Sequence, residues 1–437
     1  MRNYHIAAAV ALALGGTAAT QAAHAAAATP AQCAAPAASL YVAGSSAAQP
    51  SFATALGNDL FDANGETTIS ATGGNGNFKA YCGFAKAGNG AGVATGAVVT
   101  VFYRAEGGSV VGALPIASNH TIKQLDLTQA GCAVAGPVVN GTSATVGTTD
   151  GWTGCVSEHA VELGVTDIEP TQFVGPNYPS AYSTSVFGSA TKSQFAALAG
   201  RPLFQQVFGL FVNTSGINSG ASGQAIDLTK QTAAAILEGS YTDWSSVPTA
   251  SGGAVSNVSV PITLVNREAG SGTRTGTTIY FLGTNCNTPA ATLSDPGPDG
   301  YATGDVLATA AATPGAITYA SIDNNGKQAA LSMATLDGIT PTNLAATSGE
   351  YGWWFEATYQ KGTITSPGGT GIYNFLTGGE LQNLATAPHA VDINVISNVG
   401  TNSATVPVTA STVGGKTIYI NPFTRSGNSC SIPAETN

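Results

Sequence analysis

The residues best placed to do chemistry fall in one short run at 265–276, which reads VNREAGSGTRTG. A strand-like approach delivers Arg267, and a glycine-flanked Ser271, Gly272 and Thr273 follow where a helix should begin. The first amides of a helix have no intrahelical acceptor, so they point outward at the positive end of the helix dipole. Glycine admits close backbone approach, hydroxyls add donors, and arginine adds a bidentate cation. The chemistry that suits this set is capture of an oxyanion. Taken singly, the run is equally an ordinary capped turn beside a solvated arginine. The same order of strand, hydroxyl or glycine, and helix recurs at VAGSSAAQP (42–50) and TGGNGNF (72–78). Three such turns opening on one cleft would surround a small tetrahedral anion with donors.

The elements that must position these turns are legible from periodicity. Phe52, Leu56 and Leu60 are four residues apart and place one apolar stripe on a helix. Pro50 fits that helix only in its first turn, so it should begin near Ala47 or Ala48 with Ser46 at the cap. TTISATGG reads as a strand leading into NFKAYCGFA, read as a helix; 203–213 reads as a strand; and 229–239 reads as a helix started by Thr229 and stopped by Gly239. ITLVNRE is a strand before the helix of SGTRTGTTIYFLG, and AITYASID a strand ending at Asn324, Asn325 and Gly326. This alternation indicates α/β layers. Residues 80–160 differ: they are glycine-rich, hold three of the six cysteines and contain the alternating run AVVTVFYRAEGGSVV. They read as a β-hairpin insertion stapled by a disulfide.

Composition narrows the function. The 437 residues allow two to three domains, and only 9% are charged against an average of about 25%. The net charge is −10, and no basic cluster offers a track for phosphodiester contacts or an anionic bilayer, which argues against nucleic-acid or membrane partners. The N-terminus reads as a secretory signal: Arg2, an apolar stretch at 6–14, then AHA ending at Ala25. Its removal would take Arg2 and leave −11. That stretch is too short to span a bilayer, which needs about 20 residues. An even number of cysteines in an exported chain favours disulfides. Cys132 with Cys155 is the local pairing, and the partners of Cys33, Cys82, Cys286 and Cys430 stay open. No cysteine has CxxC spacing, and His120, His159 and His389 are isolated, so no metal or other cofactor is expected.

In order along the chain, AGSSAAQP, TGGNGNFK, LGVTDIEP and NREAGSGT resemble the anion loops of the phosphate-binding proteins of the periplasmic binding protein superfamily, the PstS-like components of phosphate ABC transporters. VFGLFVN, ILEGSYTDW and TPGAITYASID resemble that family's inter-lobe strand, its helix-to-tryptophan segment and a later strand. The resemblance implies a two-lobed α/β fold of the type 2 periplasmic binding protein class, with the β-rich, disulfide-containing insertion in the first lobe. It implies donors from Ser46 and the Ala47 amide, from Gly74 and Asn75, and from Ser271, Gly272 and Thr273, with Arg267 as the positive charge. Asp167 would be the buried carboxylate that accepts a hydrogen bond from protonated phosphate and repels sulfate, which has no proton to offer. Read without the resemblance, Asp167 is a turn cap before Pro170. Three features depart from the pattern: Ala47 stands where an aromatic residue is common, Ala269 where an aspartate often partners the arginine, and 92 residues (167 − 75) separate Asn75 from Asp167 where the family usually needs far fewer.

The expected organisation is a signal peptide at 1–25, a linker at 26–38, a first lobe at 39–202 with the insertion at about 80–160, a second lobe at 203–335, and a return to the first lobe with a tail at 336–437. The expected function is capture of inorganic phosphate or a similar oxyanion in the inter-lobe cleft by a periplasmic or released monomer that serves ABC transporter membrane subunits. The competing readings are an extracellular module that uses this fold for adhesion or assembly, and a phosphate-ester hydrolase with Ser271 or Thr273 as nucleophile. No histidine, lysine or second carboxylate lies near those hydroxyls in sequence to activate them, so no catalytic residue is assigned.

Overall fold

The computed structural model describes residues 27–378 apart from 64, 72–76, 133–135, 144–150, 218–225, 287–291 and 295–298, together with 395–398, 411–413, 416–421 and 423–435. The signal sequence therefore lies outside the described residues, as do Gly74 and Asn75.

Strand Ala38–Gly44 runs parallel to Val98–Arg104 on one side and to Leu163–Thr166 on the other. Its side chains are buried on both faces, as expected for a central strand covered by helices. Phe52, Leu56 and Leu60 pack below it with Leu40, Val42, Val101, Ile372 and Leu376. The helix runs Gln49–Ala55 with Pro50 in its first turn, and a wider turn at Leu56–Leu60 continues it.

Strand Arg201–Asn213 joins the two halves of the molecule. Its first part, Arg201 to Val207, pairs antiparallel with Trp354–Lys361, which in turn pairs with Leu163–Thr166. Its second part, Phe208 to Val212, pairs with Ala316–Ser321, which carries the parallel strand Thr263–Leu264. One uninterrupted strand thus serves two sheets. Trp353 and Trp354 are buried beside it.

Three expectations change. NFKAYCGFA is not a helix: Phe78–Phe84 is a strand between Thr67–Ala71 and Val98–Arg104, antiparallel to both. Nearly every side chain in it is buried, so it lacks the in-out alternation by which a half-buried strand is recognised. The alternating run after it is likewise a strand of the main sheet, leaving the added β-structure to Thr121–Leu125 paired with Val156–Ala160 and Gly141–Ser143 paired with Trp152–Gly154. The third change concerns the linker, which contains the helix Pro30–Ala34, capped by Thr29 and pinned through Cys33 to Cys82. Cys132 pairs with Cys155 as expected, and the remaining bridge is Cys286–Cys430.

Candidate functional site

Asp167 follows strand Leu163–Thr166 and is buried. Three hydroxyls from three separate turns converge on its carboxylate. Ser45 donates to Oδ1, while Ser109 and Thr273 donate to Oδ2 at 2.9 and 3.1 Å. Ser45 comes from the turn after the central strand, Ser109 from the Gly107–Gly108 turn after Val98–Arg104, and Thr273 from the helix Gly272–Thr277 beyond the crossing strand. Hydrogen bonds to an ionised carboxylate are stronger than neutral ones, so this convergence ties the two halves together at one charge. Burial still raises the Asp167 pKa, against the lowering effect of the Ser45 and Ser109 bonds and the Arg267 charge.

Arg267 ends the short strand Asn266–Arg267 and is buried as well. Its Nε donates to the Gly300 carbonyl at 3.2 Å, Nη2 to the Tyr301 carbonyl at 3.2 Å, and Nη1 to the Thr303 hydroxyl at 3.2 Å. Ser46 lies within 2.9 Å of the Thr303 hydroxyl and at 3.5 Å from Nη1. Burial lowers the Arg267 pKa, opposed first by Asp167 and then by Asp305. Glu268, next in the chain, turns away and accepts from Ser180 and Ser183 at 3.0 and 3.3 Å. Burial raises its carboxyl to about 8, so it is mostly protonated at neutral pH.

Close backbone approach explains the glycines. A Cβ on Gly272 would sit 2.8 Å from Ser109 Cβ and 2.9 Å from Asp167 Cβ; one on Gly108, whose φ is +71°, would sit 2.8 Å from Arg267 Nη2. Neither position tolerates a larger residue without moving the side chains that define the site.

Of the residues expected from the sequence, Asp167, Thr273 and Gly272 meet around one carboxylate, with Arg267 near enough to perturb its pKa. Ser46 and Thr303 form the side of the site nearest the guanidinium. Ala47 is buried behind the first turn. Ser271 is used differently from expectation: its hydroxyl accepts from Arg274 N at 3.2 Å as the helix cap, and its amide donates to the Glu268 carbonyl at 3.1 Å. Ser46 does not cap its helix; the neighbouring Ser45 accepts from Ala48 N at 2.9 Å and also reaches Asp167. Sequence reading missed Ser45, Ser109 and Thr303. The first two had a signal, since each follows a strand and glycine in the pattern already sought. Thr303 had only its place at the start of helix Thr303–Ala312.

Residues 181–367 match the family model described as the PBP superfamily domain. One strand serves both sheets, and the helix that begins at Gly272 meets the turn after the central strand across Asp167. No curated protein shows significant similarity to the chain. Among solved structures, a substrate-binding protein with bound phosphate from Clostridium perfringens is 14% identical, with 81% of this chain and 98% of that one covered and a TM-score of 0.46. PstS from Borrelia burgdorferi is 13% identical over 77% of this chain and 90% of its own, with a TM-score of 0.34. A high-affinity periplasmic phosphate-binding protein, PfluDING, is 15% identical over 62% and 83%, with a TM-score of 0.37. Among the described residues no helix is long and apolar enough to cross a membrane.

Proposed function

We propose that this PBP superfamily protein is a PstS-like solute-binding protein that captures inorganic phosphate between its two halves. The observation that carries the reading is the buried Asp167 carboxylate ringed by hydroxyls from both halves, with Arg267 alongside. A buried carboxylate repels an oxyanion unless the ligand offers it a proton. Monohydrogen phosphate and dihydrogen phosphate do; sulfate does not. The ligand's P–OH would donate to Asp167, while the hydroxyls of Ser45, Ser109 and Thr273 rotate from the carboxylate to the remaining phosphate oxygens. Arg267 supplies the positive charge, held by carbonyls and hydroxyls so that its cationic field is available to the anion. A chain of net charge −10 does not attract phosphate from a distance, so selection depends on this short-range geometry.

On this reading the protein acts outside the cytoplasm after cleavage near Ala25, as a monomer, and delivers phosphate to the membrane subunits of an ABC transporter encoded by other chains. It performs no chemical step. The Ser271 hydroxyl is occupied as a helix cap, which favours binding over nucleophilic attack by that residue.

Calorimetric titration with phosphate, arsenate and sulfate tests the proposal. Phosphate and arsenate should bind and sulfate should not, and Asp167→Asn should narrow the preference for phosphate over sulfate by about 100-fold or more, since it replaces a repelling charge with a neutral group able to donate. Because burial raises the Asp167 pKa, acidification protonates it in the folded protein before an ordinary carboxylate would be, and sulfate binding should appear in that acidic range. Equal sulfate and phosphate binding by the unmodified protein at neutral pH would refute the role of Asp167.

A further inference from the structure

A cavity of about 380 Å³, lined by none of the oxyanion-site residues, lies between the second half of the molecule and the C-terminal tail. That volume suits a small organic ligand. Its wall includes Lys230, Ile279, Tyr280, Phe355, Arg425 and Ile432. Among the described residues two cations line it and no carboxylate does, in a chain whose net charge is −10.

The local acids are turned elsewhere. Glu356 accepts from the Arg425 amide at 2.8 Å, and Glu169 accepts from the Ser429 amide at 3.0 Å. Asp337 accepts from the Lys230 amide at 3.1 Å. The Arg425 guanidinium is fixed by the carbonyls of Trp354 and Gly352, each at 3.2 Å, and of Ser431 at 2.5 Å, keeps the Glu356 and Glu169 charges within range, and lies over the Trp354 and Phe355 rings. Lys230 Nζ lies 3.9 Å from the centroid of the Tyr280 ring, and that ring is stacked on Trp353. Burial lowers the Lys230 pKa and the Arg425 charge lowers it further, whereas Asp337 opposes both. An anion placed here would relieve the repulsion between the two cations. Apart from Ser429 and Ser431, the rest of the wall is mostly apolar or aromatic, and Ile432 is 88% exposed. The Cys286–Cys430 bridge holds the tail that forms one side.

We propose that this cavity is a second ligand site, separate from the oxyanion site, for a small planar organic carboxylate. The carboxylate would face Lys230 and Arg425, and the ring would lie against Phe355 and the edge of Tyr280, whose faces Lys230 and Trp353 cover.

Benzoate is the probe, titrated into the full oxidised protein by calorimetry, with benzamide as its neutral isostere. Benzoate should bind saturably and benzamide at least about 10-fold more weakly, the size of a single lost charge contact. Lys230→Met should weaken benzoate by a similar factor, Lys230→Arg should retain it, and neither should alter the phosphate isotherm. Cys286→Ser with Cys430→Ser should weaken benzoate by releasing the tail wall. Asp167→Asn should leave benzoate untouched, so failure of the phosphate reading and failure of this one are separable. No saturable benzoate heat, equal binding by Lys230→Met with its melting curve intact, or displacement of benzoate by phosphate would each overturn the proposal.

Discussion

Arg104 and Arg267 are both fully buried, yet they are compensated in opposite ways. Arg104 Nη2 meets Glu106 Oε2 at 2.8 Å, and the guanidinium lies between the Phe78 and Phe187 rings. Glu106 is further satisfied by Trp152 Nε1 at 2.8 Å and the Tyr182 hydroxyl at 3.1 Å. That cation is neutralised within its own turn. Arg267 instead donates to two carbonyls and two hydroxyls, and the carboxyl next to it in sequence, Glu268, is held near pKa 8 and bonded elsewhere. A nearby acid in sequence therefore does not show whether a buried arginine is spent. What decides it is whether that acid is ionised and pointed at the guanidinium.

Breaking each arginine should separate stability from binding. Arg104→Met leaves Glu106 as an uncompensated buried charge and should cost about 3–5 kcal/mol in denaturant unfolding, with Arg104→Met/Glu106→Gln recovering much of it. Phosphate affinity of the molecules that remain folded should hardly change. Arg267→Met should lower phosphate affinity by about 100-fold or more in the molecules that remain folded, and it should also lower the melting temperature, because the Gly300 and Tyr301 carbonyls and the Thr303 hydroxyl lose their donor. An Arg267→Met protein that binds phosphate normally would dissolve the distinction.

Glu268 sharpens the contrast through pH. Its pKa rises from 4.5 to about 8 on folding, so between those values the native state holds a proton that the unfolded state has lost. Stability from this group is therefore greatest below about pH 4.5 and falls as pH rises to about 8, by up to about 1.4 kcal/mol per pH unit. Glu268→Gln should flatten that slope and be more stable than the parent above pH 8. The same ionisation places a carboxylate beside Arg267, so phosphate affinity should weaken in alkaline solution and weaken less in Glu268→Gln. Parallel unfolding and binding curves for the two proteins across pH 5–9 check both effects, and superimposable curves would remove Glu268 from the account.

How far the sequence could lead varied with the type of signal. Helix starts at Thr229 and Ser271 and the crossing strand were legible, because caps and apolar runs are local. Phe78–Phe84 was not, since burial on both faces erased its alternation and its neighbours in the sheet supply the pairing. At the site, Asp167 and Arg267 could be named from their loops, but not the use of the Gly107–Gly108 turn to bring Ser109 to Asp167. That contact joins residues 58 positions apart and needs Gly272 to lack a side chain. The division of labour between Ser45 and Ser46 was also hidden, because adjacent hydroxyls are equivalent in a sequence until backbone direction assigns each a side.

That division yields the smallest of the expected effects and the finest test of the two sides of the site. Ser45 serves Asp167 and accepts from Ala48 N, and its own carbonyl accepts from the Tyr103 hydroxyl at 2.7 Å. Ser45→Ala should thus lose about 1 kcal/mol of stability with the cap and about 10-fold in phosphate affinity with the donor. Ser46 is only half-buried and shares Thr303 with Arg267, which retains its two carbonyl partners when the hydroxyl is gone. Ser46→Ala should change affinity by no more than about 3-fold, because the guanidinium is already fixed by other bonds. If Ser46→Ala proves the more damaging variant, the ligand rests chiefly on the Arg267 side, and the carboxylate is a structural tie between the halves rather than the group that reads the proton.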